Sequence, residues 1–239
     1  MPSFWDTVKV SGQDMKMYAS VPDGSGPFPA VIVIHPAGGV NEFPQRIADQ
    51  LAGEGYVAVC PDLFHRITDA NMTGVEKAQS LQDPEIVADV NAAVDFLQAN
   101  SAVNGQRIGI TGFCMGGRVS WLAAASIPAI TASVPYYGGS IMKVRGGEKT
   151  PFDLASGING PMLFHFGEED ADPSQEDMRT LDNELTRLGK THQFYTYAGA
   201  NHAFADHTSP RYHQRAFEIS WPRTLEFFAA HLKGAAVAG

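Results

Sequence analysis

The stretch that most constrains the fold is a short apolar run, residues 108–111, that leads into Gly112-x-Cys114-x-Gly116 and then into small residues at 119–125. The apolar run predicts a buried strand and the small residues predict a helix. A turn that lifts one side chain above the edge of a sheet leaves no room for neighbouring Cβ atoms, and glycines two positions before and after remove them. The segment is therefore predicted to be a strand, a tight turn and a helix, with Cys114 at the tip.

Such a turn is a nucleophile elbow with cysteine where serine is usual. The N-terminus of the following helix would favour the thiolate of Cys114, and the Met115 N–H would be free to face an oxyanion. The alternative is a fortuitous spacing and an inert, buried Cys114, since free cysteines are commonly buried. The strand, turn and helix context favours the nucleophile.

Strand and helix patterns alternate along the chain, and residues 30–34 are apolar on both faces, which is typical of a central parallel strand covered by helices. Further strands are predicted near 8–10, 15–21, 56–60, 132–137, 162–166 and 192–197, and helices at 43–54, 83–98, 175–188 and 211–232, the last interrupted near Pro222. The pattern predicts an α/β fold with an open, doubly wound, mostly parallel sheet. A chain of 239 residues is expected to form it as a single domain, 1–239.

Four local features complete this prediction. Asp83 is expected to be the N-cap of the helix at 83–98, with Pro84 at its first position. The polar segment 67–82 is predicted to cross the face of the sheet where the parallel strands end. Residues 141–159 are Gly-rich and show no clear pattern, and residues 234–239 are expected to form a loose tail.

The predicted central strand ends in a Gly-rich turn, His35-Pro36-Ala37-Gly38-Gly39. Ligands bind beyond the carboxyl ends of parallel strands, where such a turn exposes backbone N–H groups. Pro36 has no N–H, so Ala37 or Gly38 would be the donor. Together with the Met115 N–H, that donor would form an oxyanion hole. The alternative is that the glycines only permit a tight turn.

Two further strand ends supply polar groups that a thiol nucleophile needs, namely a base and an acceptor that orients the base. Asp170 follows the strand at 162–166, and His202 follows the strand at 192–197. The order Cys114, Asp170, His202 is the chain order of α/β-hydrolases, and these three residues are the predicted catalytic triad. Asp172 is the main alternative acid.

Other histidines fit this role less well. His35 and His165 lie on or beside buried strands and are interpreted as core residues. A second set of polar residues could be read as a metal cluster, but it lacks the tight spacing of known zinc motifs, and neither a metal nor a cofactor is predicted. The residues of that set are His202, Asp206, His207 and His213.

Several motifs together resemble the dienelactone hydrolase family, and the resemblance extends from about Met15 to Leu232. They are Gly112-Phe113-Cys114-Met115-Gly116-Gly117, Pro61-Asp62-Leu63-Phe64, Tyr136-Tyr137-Gly138, Gly167-Glu168-Glu169-Asp170 and Gly199-Ala200-Asn201-His202-Ala203-Phe204. The resemblance implies a cofactor-free hydrolase of small esters or lactones that is monomeric or a weak homodimer. It places the family's triad on Cys114, Asp170 and His202.

Two positions depart from that pattern. Pro36 stands where the resemblance implies a glutamate that interacts with the nucleophile, so Cys114 is expected to pair with His202 already in the free protein. Asp206 stands where it implies an arginine that holds a substrate carboxylate. A carboxylate there would repel an anionic substrate, and the sequence therefore predicts that neutral esters are preferred.

Aromatic residues flank the motifs and are expected to line an apolar substrate pocket; they are Phe113, Tyr136, Tyr137 and Phe204. The substrate itself is not identified by the sequence. A redox-responsive thiol, a ligand-binding protein or an acyltransferase on the same scaffold are the alternatives to a hydrolase.

Composition restricts the partners. The net charge of -9 opposes binding to nucleic acid and to anionic membranes, and a small-molecule substrate is expected instead. The N-terminal residues lack the features of a secretory signal, and no apolar run is long enough to span a bilayer. A cytoplasmic location is expected, with both Cys60 and Cys114 reduced and Cys60 packed in a buried strand.

Overall fold

The protein is described by a computed structural model, which covers residues 2–234. Its eight strands form a single sheet in the order β1-β2-β4-β3-β5-β6-β7-β8. The strands are β1 (Ser3–Val10), β2 (Gln13–Ser20), β3 (Phe28–Ile34), β4 (Val57–Pro61), β5 (Val103–Phe113), β6 (Ile130–Tyr136), β7 (Met162–Gly167) and β8 (His192–Tyr197). The pairs β1·β2 and β2·β4 are antiparallel, and all the pairs from β4·β3 to β7·β8 are parallel. The predicted mostly parallel sheet is confirmed.

Helices connect the strands. They are α1 (Glu42–Gly53), α2 (Gly74–Ser80), α3 (Asp83–Ala99), α4 (Met115–Ser126), α5 (Gln175–Arg187) and α6 (Gln214–Phe228). A π-helical turn, Ala229–Lys233, follows α6. The predicted interruption near Pro222 is wrong, because α6 continues through this residue.

Two hydrophobic layers cover the two faces of the sheet. The side chains of β3 alternate between them: Ile32 and Ile34 belong to one layer, Val31 and Val33 to the other, and all four are fully buried. Burial on both faces explains why this strand is apolar throughout. Cys60 is a free cysteine at full burial in β4, as predicted.

The start of α3 differs from the prediction. The helix begins at Asp83 and its N-cap residue is Gln82, so Asp83 does not cap it. The Asp83 carboxylate instead accepts two hydrogen bonds from the guanidinium of Arg118, at 2.5 and 2.9 Å. Both side chains are buried, and a buried carboxylate gains more from a bidentate guanidinium than from one backbone N–H.

The two segments without a clear sequence pattern are largely irregular in the structure as well. Segment 67–82 contains α2, whose first turn is closed by reciprocal hydrogen bonds between Thr73 and Glu76. Segment 141–159 is irregular apart from a helical turn at Ala155–Gly157. Of the predicted tail, Gly234 is described and residues 235–239 lie outside the described part of the chain.

None of the helices within residues 2–234 combines the length and the apolar character that a membrane span requires.

Candidate active site

The turn between β5 and α4 has the geometry of the predicted elbow. Cys114 has φ 60° and ψ −119°, a backbone conformation that non-glycine residues rarely adopt and that is costly unless the surroundings enforce it. A Cβ on Gly112 would collide with the Gly116 carbonyl, and a Cβ on Gly116 would collide with the Ile34 carbonyl. Glycine is therefore required at both positions of the motif.

His202 and Asp170 meet at the carboxyl end of the sheet, although 32 residues separate them in the chain. The Nδ1 atom of His202 lies 2.9 Å from Oδ2 of Asp170, whose side chain is almost entirely buried. Burial lowers the pKa of His202, but hydrogen bonds and charge interactions with Asp170 and Cys114 outweigh it and raise this pKa to about 10. The His202 imidazole therefore contacts two acidic groups, the Asp170 carboxylate and the Cys114 thiol.

The second acid is the thiol of Cys114. Burial raises its pKa, but a hydrogen bond with His202, the charge of His202 and the backbone N–H groups of Met115 and Ala37 lower it, and the net effect is a lowered pKa. Opposite shifts on neighbouring groups favour a thiolate next to an imidazolium. The Met115 and Ala37 amides thus both donate towards the sulfur.

These contacts separate the two candidates in the Gly-rich turn. Ala37 lies beside the thiol and borders the cavity above it. Gly38 is turned towards the side chain of Asn41, which caps α1. Of the two N–H groups considered from the sequence, that of Ala37 contacts the Cys114 thiol.

Asp172, the alternative acid, has other partners. Its carboxylate accepts hydrogen bonds from the Ser140 backbone N–H at 2.9 Å and from the Ser140 hydroxyl at 3.0 Å. Its own N–H donates to Oδ1 of Asp170 at 3.0 Å. Asp172 thus connects the loop after β6 to the acid loop after β7 and supports the Asp170 carboxylate through its backbone.

A cavity of about 530 Å³ opens above Cys114. Segment 67–82 forms one wall, as predicted, through α2. The lining side chains are Ala37, Val75, Ala78, Gln79, Cys114, Met115, Arg118, Ser140, Arg145, Glu169, Asp170, Ala171, Asp172, Asn201, His202 and Arg211. The backbone of Gly139 completes the cavity lining.

The aromatic residues that were expected to line this cavity lie beneath it, which corrects the prediction. Phe113, Tyr136, Tyr137 and Phe204 are each at most 1% exposed and belong to one of the two core layers. The Phe113 and Tyr136 rings pack 4.8 Å apart, and the Tyr137 ring lies 5.2 Å from the His202 imidazole. Their buried hydrophobic area stabilises the core layer under the triad.

The cavity instead contains charged residues that the sequence did not single out, above all Arg145 and Arg211. Arg145 lies in the patternless segment 141–159, and an arginine in an irregular loop carries no periodic signal. Asp206 does not border the cavity; its carboxylate accepts hydrogen bonds from the backbone and hydroxyl of Thr208. The predicted repulsion of anionic substrates by Asp206 therefore loses its structural basis.

The polar residues considered as a metal cluster each have a different partner. The pairs are His202 with Asp170, Asp206 with Thr208, His207 with Glu42, and His213 with the Ala216 N–H. Within residues 2–234, no group of three or more histidine, cysteine, aspartate and glutamate residues could hold a metal ion.

The remaining two histidines near strand ends are core residues, as predicted. His35 and His165 are fully buried. His35 accepts a hydrogen bond from the Leu63 N–H, and His165 is bonded to the Tyr197 hydroxyl at 2.7 Å. Burial lowers the pKa of His165 to about 3, so this imidazole is neutral in the folded protein.

The α/β-hydrolases have a mostly parallel eight-stranded sheet with helices on both faces, and a strained residue between a central strand and the helix that follows it. The sheet and the turn at Cys114 have this architecture. Comparison with known proteins narrows this class. The model of the dienelactone hydrolase family matches residues 15–232, and the chain belongs to this family. It is accordingly a hydrolase of the dienelactone hydrolase type.

Relatives of similar length support this assignment. The chain is 32% identical over 236 residues to the "Probable 2-oxo-3-(5-oxofuran-2-ylidene)propanoate lactonase" of Bradyrhizobium sp., a match that covers 96% of this chain and 95% of the relative. It is 33% identical over 236 residues to the "Putative carboxymethylenebutenolidase" of Escherichia coli (strain K12), covering 93% and 84% of the two chains. A crystal structure of a "Putative Dienelactone Hydrolase" from Klebsiella pneumoniae superimposes with a TM-score of 0.86 at 30% identity, covering 97% of this chain and 100% of that one.

Proposed function

We propose that the protein hydrolyses a small ester or lactone through a covalent acyl-enzyme on Cys114, with His202 as general acid and base and Asp170 as the residue that orients it. The observation that carries this proposal is the position of Cys114. Its thiol stands at a strained turn, borders the cavity and interacts with His202 and with two backbone amides at once. A structural cysteine would need none of these contacts.

In the first half of the reaction, the thiolate of Cys114 attacks the carbonyl carbon. The negative charge that develops on the carbonyl oxygen is received by the N–H groups of Met115 and Ala37. The tetrahedral intermediate then collapses, the bond to the leaving oxygen breaks, and the His202 imidazolium gives its proton to the departing alkoxide. A thioester on Cys114 and an alcohol result; with a lactone, both remain in one molecule.

In the second half, His202 removes a proton from water, and the hydroxide attacks the thioester carbonyl. The same two amides hold the second oxyanion. Collapse releases the carboxylic acid and restores the thiolate next to the imidazolium. Asp170 keeps Nε2 of His202 directed at the reacting atoms through the 2.9 Å contact at Nδ1.

The resting state follows from the same contacts. The lowered pKa of Cys114 and the raised pKa of His202 favour an ion pair before substrate arrives. Pro36 has no side-chain group that could accept a proton or bind the thiol. The nucleophile would therefore be active in the free enzyme, without activation by substrate.

The names of the relatives indicate the bond that is cleaved. One is named a lactonase and another a carboxymethylenebutenolidase, and both are matched over more than nine-tenths of this chain. The 530 Å³ cavity accommodates a small acyl or lactone group.

The test is turnover of a panel of p-nitrophenyl esters and small lactones by the wild type, Cys114→Ala and Cys114→Ser. We expect the alanine variant to be inactive and to fold normally, because the change removes little volume. Intact-protein mass spectrometry of the wild type with a slowly hydrolysed ester should detect one acyl group, absent from Cys114→Ala. Wild-type turnover by Cys114→Ala on every accepted substrate would exclude the proposal.

The same experiment separates the alternatives. A protein that only senses oxidants or only binds ligand would hydrolyse none of the panel, whether or not its thiol reacts. An acyltransferase would form the acyl group but release it faster when an acceptor alcohol is added than in water alone.

A further inference from the structure

A second cavity, of about 540 Å³, lies between residues 196–198 at the end of β8 and residues 213–223 at the start of α6, and is named here the β8–α6 cavity. It shares no lining residue with the cavity above Cys114. Two arginines and a histidine border it, and none of the described residues that line it is acidic. The chain carries a net charge of -9, so this group of basic side chains is opposite in sign to the molecule as a whole.

Arg223 is held in a fixed position in this cavity. The Cζ atom of its guanidinium lies 3.8 Å from the centre of the Tyr195 ring, and its Nη1 donates a 3.3 Å hydrogen bond to the Tyr197 hydroxyl. The side chain is half-buried, and no carboxylate within residues 2–234 forms an ion pair with it. A guanidinium has five N–H donors, so most of those of Arg223 remain available.

The hydroxyl that Arg223 contacts is itself fixed from the core. It lies 2.7 Å from Nδ1 of His165, whose Nε2 lies 3.1 Å from the Thr224 hydroxyl. Burial lowers the pKa of His165 to about 3, so this imidazole is neutral and its Nδ1 accepts the proton of the Tyr197 hydroxyl. The Tyr197 oxygen keeps its lone pairs for Arg223. The guanidinium is thus positioned before a ligand arrives, which lowers the entropic cost of binding one.

Arg215 supplies a second guanidinium to the same cavity. It precedes Arg223 by eight residues with Ile219 midway, and residues four apart in a helix lie on one face. The Cα atoms of the two arginines are therefore separated by about 12 Å along α6. Arg215 is exposed, and its side chain has no hydrogen-bonding or ionic partner in the described part of the chain. Its long side chain is free to turn towards an anion that Arg223 holds.

His213 supplies a third donor. Its Nδ1 accepts a hydrogen bond from the Ala216 N–H at 3.2 Å, so the neutral imidazole carries its proton on Nε2. Among residues 2–234, no hydrogen-bonding partner of this Nε2 is found. The three basic side chains of the lining therefore all have N–H groups available to the oxygens of a ligand.

Two glutamates adjoin the lining but have partners elsewhere. Glu168 accepts a hydrogen bond from the Gly199 N–H at 3.2 Å, and Glu218 accepts one from the Gln214 side chain at 2.7 Å. Neither borders the β8–α6 cavity. The protein does not neutralise the two guanidiniums, and an anion placed between them would form charge-assisted hydrogen bonds with both.

We propose that the β8–α6 cavity binds a phosphate group, either free phosphate or the phosphate of a small ester. Two guanidiniums and an imidazole N–H suit a group with two negative charges and at least three acceptor oxygens, because each guanidinium can bind two oxygens at once. Ile219 is 39% exposed between the two arginines and would contact the organic part of an ester. The site is separate from the triad, and the proposal does not depend on the proposed function.

The test is calorimetric titration of the wild type with inorganic phosphate in a low-salt buffer. We expect one phosphate per chain with a Kd of about 1 mM or tighter, and weaker binding as sodium chloride is added. Arg223→Gln should weaken binding on the order of 10- to 100-fold, the usual range for a lost hydrogen bond to a charged group. Arg215→Gln removes a side chain without partners, so its fold should be intact, and it should weaken binding about two- to fivefold.

Two control variants remove the same charge elsewhere. Arg187→Gln changes an exposed residue of α5 that pairs with Glu184, and Arg145→Gln changes the wall of the cavity above Cys114. Each should alter phosphate affinity by less than about twofold. The proposal would be overturned by no binding up to about 10 mM phosphate, by unchanged affinity in Arg223→Gln, or by an equal loss in Arg145→Gln. If urea unfolding showed Arg223→Gln to be unfolded, unchanged affinity in Arg215→Gln would overturn it.

Phenyl phosphate distinguishes the two sources of the phosphate group. If the ligand is an ester, phenyl phosphate should bind at least about threefold more tightly than free phosphate, and Ile219→Ser should remove this advantage because it removes the apolar contact. Equal affinities for the two compounds would identify free phosphate as the ligand.

Discussion

The choice between Asp170 and Asp172 as the acid that orients His202 can be decided by two isosteric changes, Asp170→Asn and Asp172→Asn. Each replaces a carboxylate by an amide of nearly the same volume, so packing should change little. Only Asp170 is bonded to His202. The Asp172 carboxylate is bonded to Ser140.

The expected magnitudes follow from those contacts. A hydrogen bond to a charged group contributes about 1.5–3 kcal/mol, which corresponds to roughly 10- to 150-fold in rate. In Asp170→Asn, the amide NH₂ would also favour the imidazole tautomer with its proton on Nε2, which cannot accept the thiol proton. The loss of kcat should therefore reach on the order of 10²- to 10⁴-fold. In Asp172→Asn, the amide oxygen of the new side chain can still accept from the Ser140 N–H, so this change should cost less than about tenfold.

The assay is steady-state turnover of a p-nitrophenyl ester, with urea unfolding of each variant to show that both are folded. A loss in Asp172→Asn that equals or exceeds the loss in Asp170→Asn would refute this reasoning. It would assign the orienting role to Asp172 and require the two loops to rearrange when substrate binds.

Three further predictions concern the thiol, the buried ion pair and α2. Because the pKa of the Cys114 thiol is lowered, its alkylation by iodoacetamide should be fast at neutral pH and become slow only as the pH falls through that lowered value. In His202→Ala the effect of burial on this pKa dominates, so the alkylation rate at neutral pH should drop by at least about tenfold; an unchanged rate would contradict the ion pair. Asp83→Leu leaves Arg118 buried without its partner and should lower the free energy of unfolding in urea by about 3–5 kcal/mol, or Tm by roughly 6–20 °C. Adding Arg118→Met should restore part of that stability, and a loss below about 1 kcal/mol in Asp83→Leu would be inconsistent with a buried pair. Gly74→Ala should displace the Gly-rich turn at 35–39 and lower kcat on the order of tenfold or more. Gly147→Ala, whose Cβ would meet only the Lys149 carbonyl at an ordinary contact distance of 4.0 Å, should be neutral in the same ester assay.

The fold could be predicted from the sequence because its signals are local. The alternation of apolar strands with amphipathic helices, and the glycines around Cys114, depend only on residues that are neighbours in the chain. The strand positions and the mostly parallel sheet agree with those signals, although β1 and β5 begin earlier than predicted, at Ser3 and Val103. The start of α3 differed because the partner of Asp83 is Arg118, which lies 35 residues away and leaves no mark in the local pattern.

The positions of the predicted triad follow from a rule of the fold, since Cys114, Asp170 and His202 each lie in the loop or turn that follows a parallel strand, and such strands end at one edge of the sheet. The sequence by itself thus determined the architecture and which strand ends meet. Only the tertiary structure decided which residue at each strand end takes part in the site. It placed Ala37 rather than Gly38 beside the Cys114 thiol, and Asp170 rather than Asp172 next to His202. It also placed Arg145 in the cavity wall and the four aromatic rings beneath the cavity. The physical reason is that these choices depend on the paths of irregular loops and on contacts between residues far apart in the chain, and neither has a periodicity that a sequence can display.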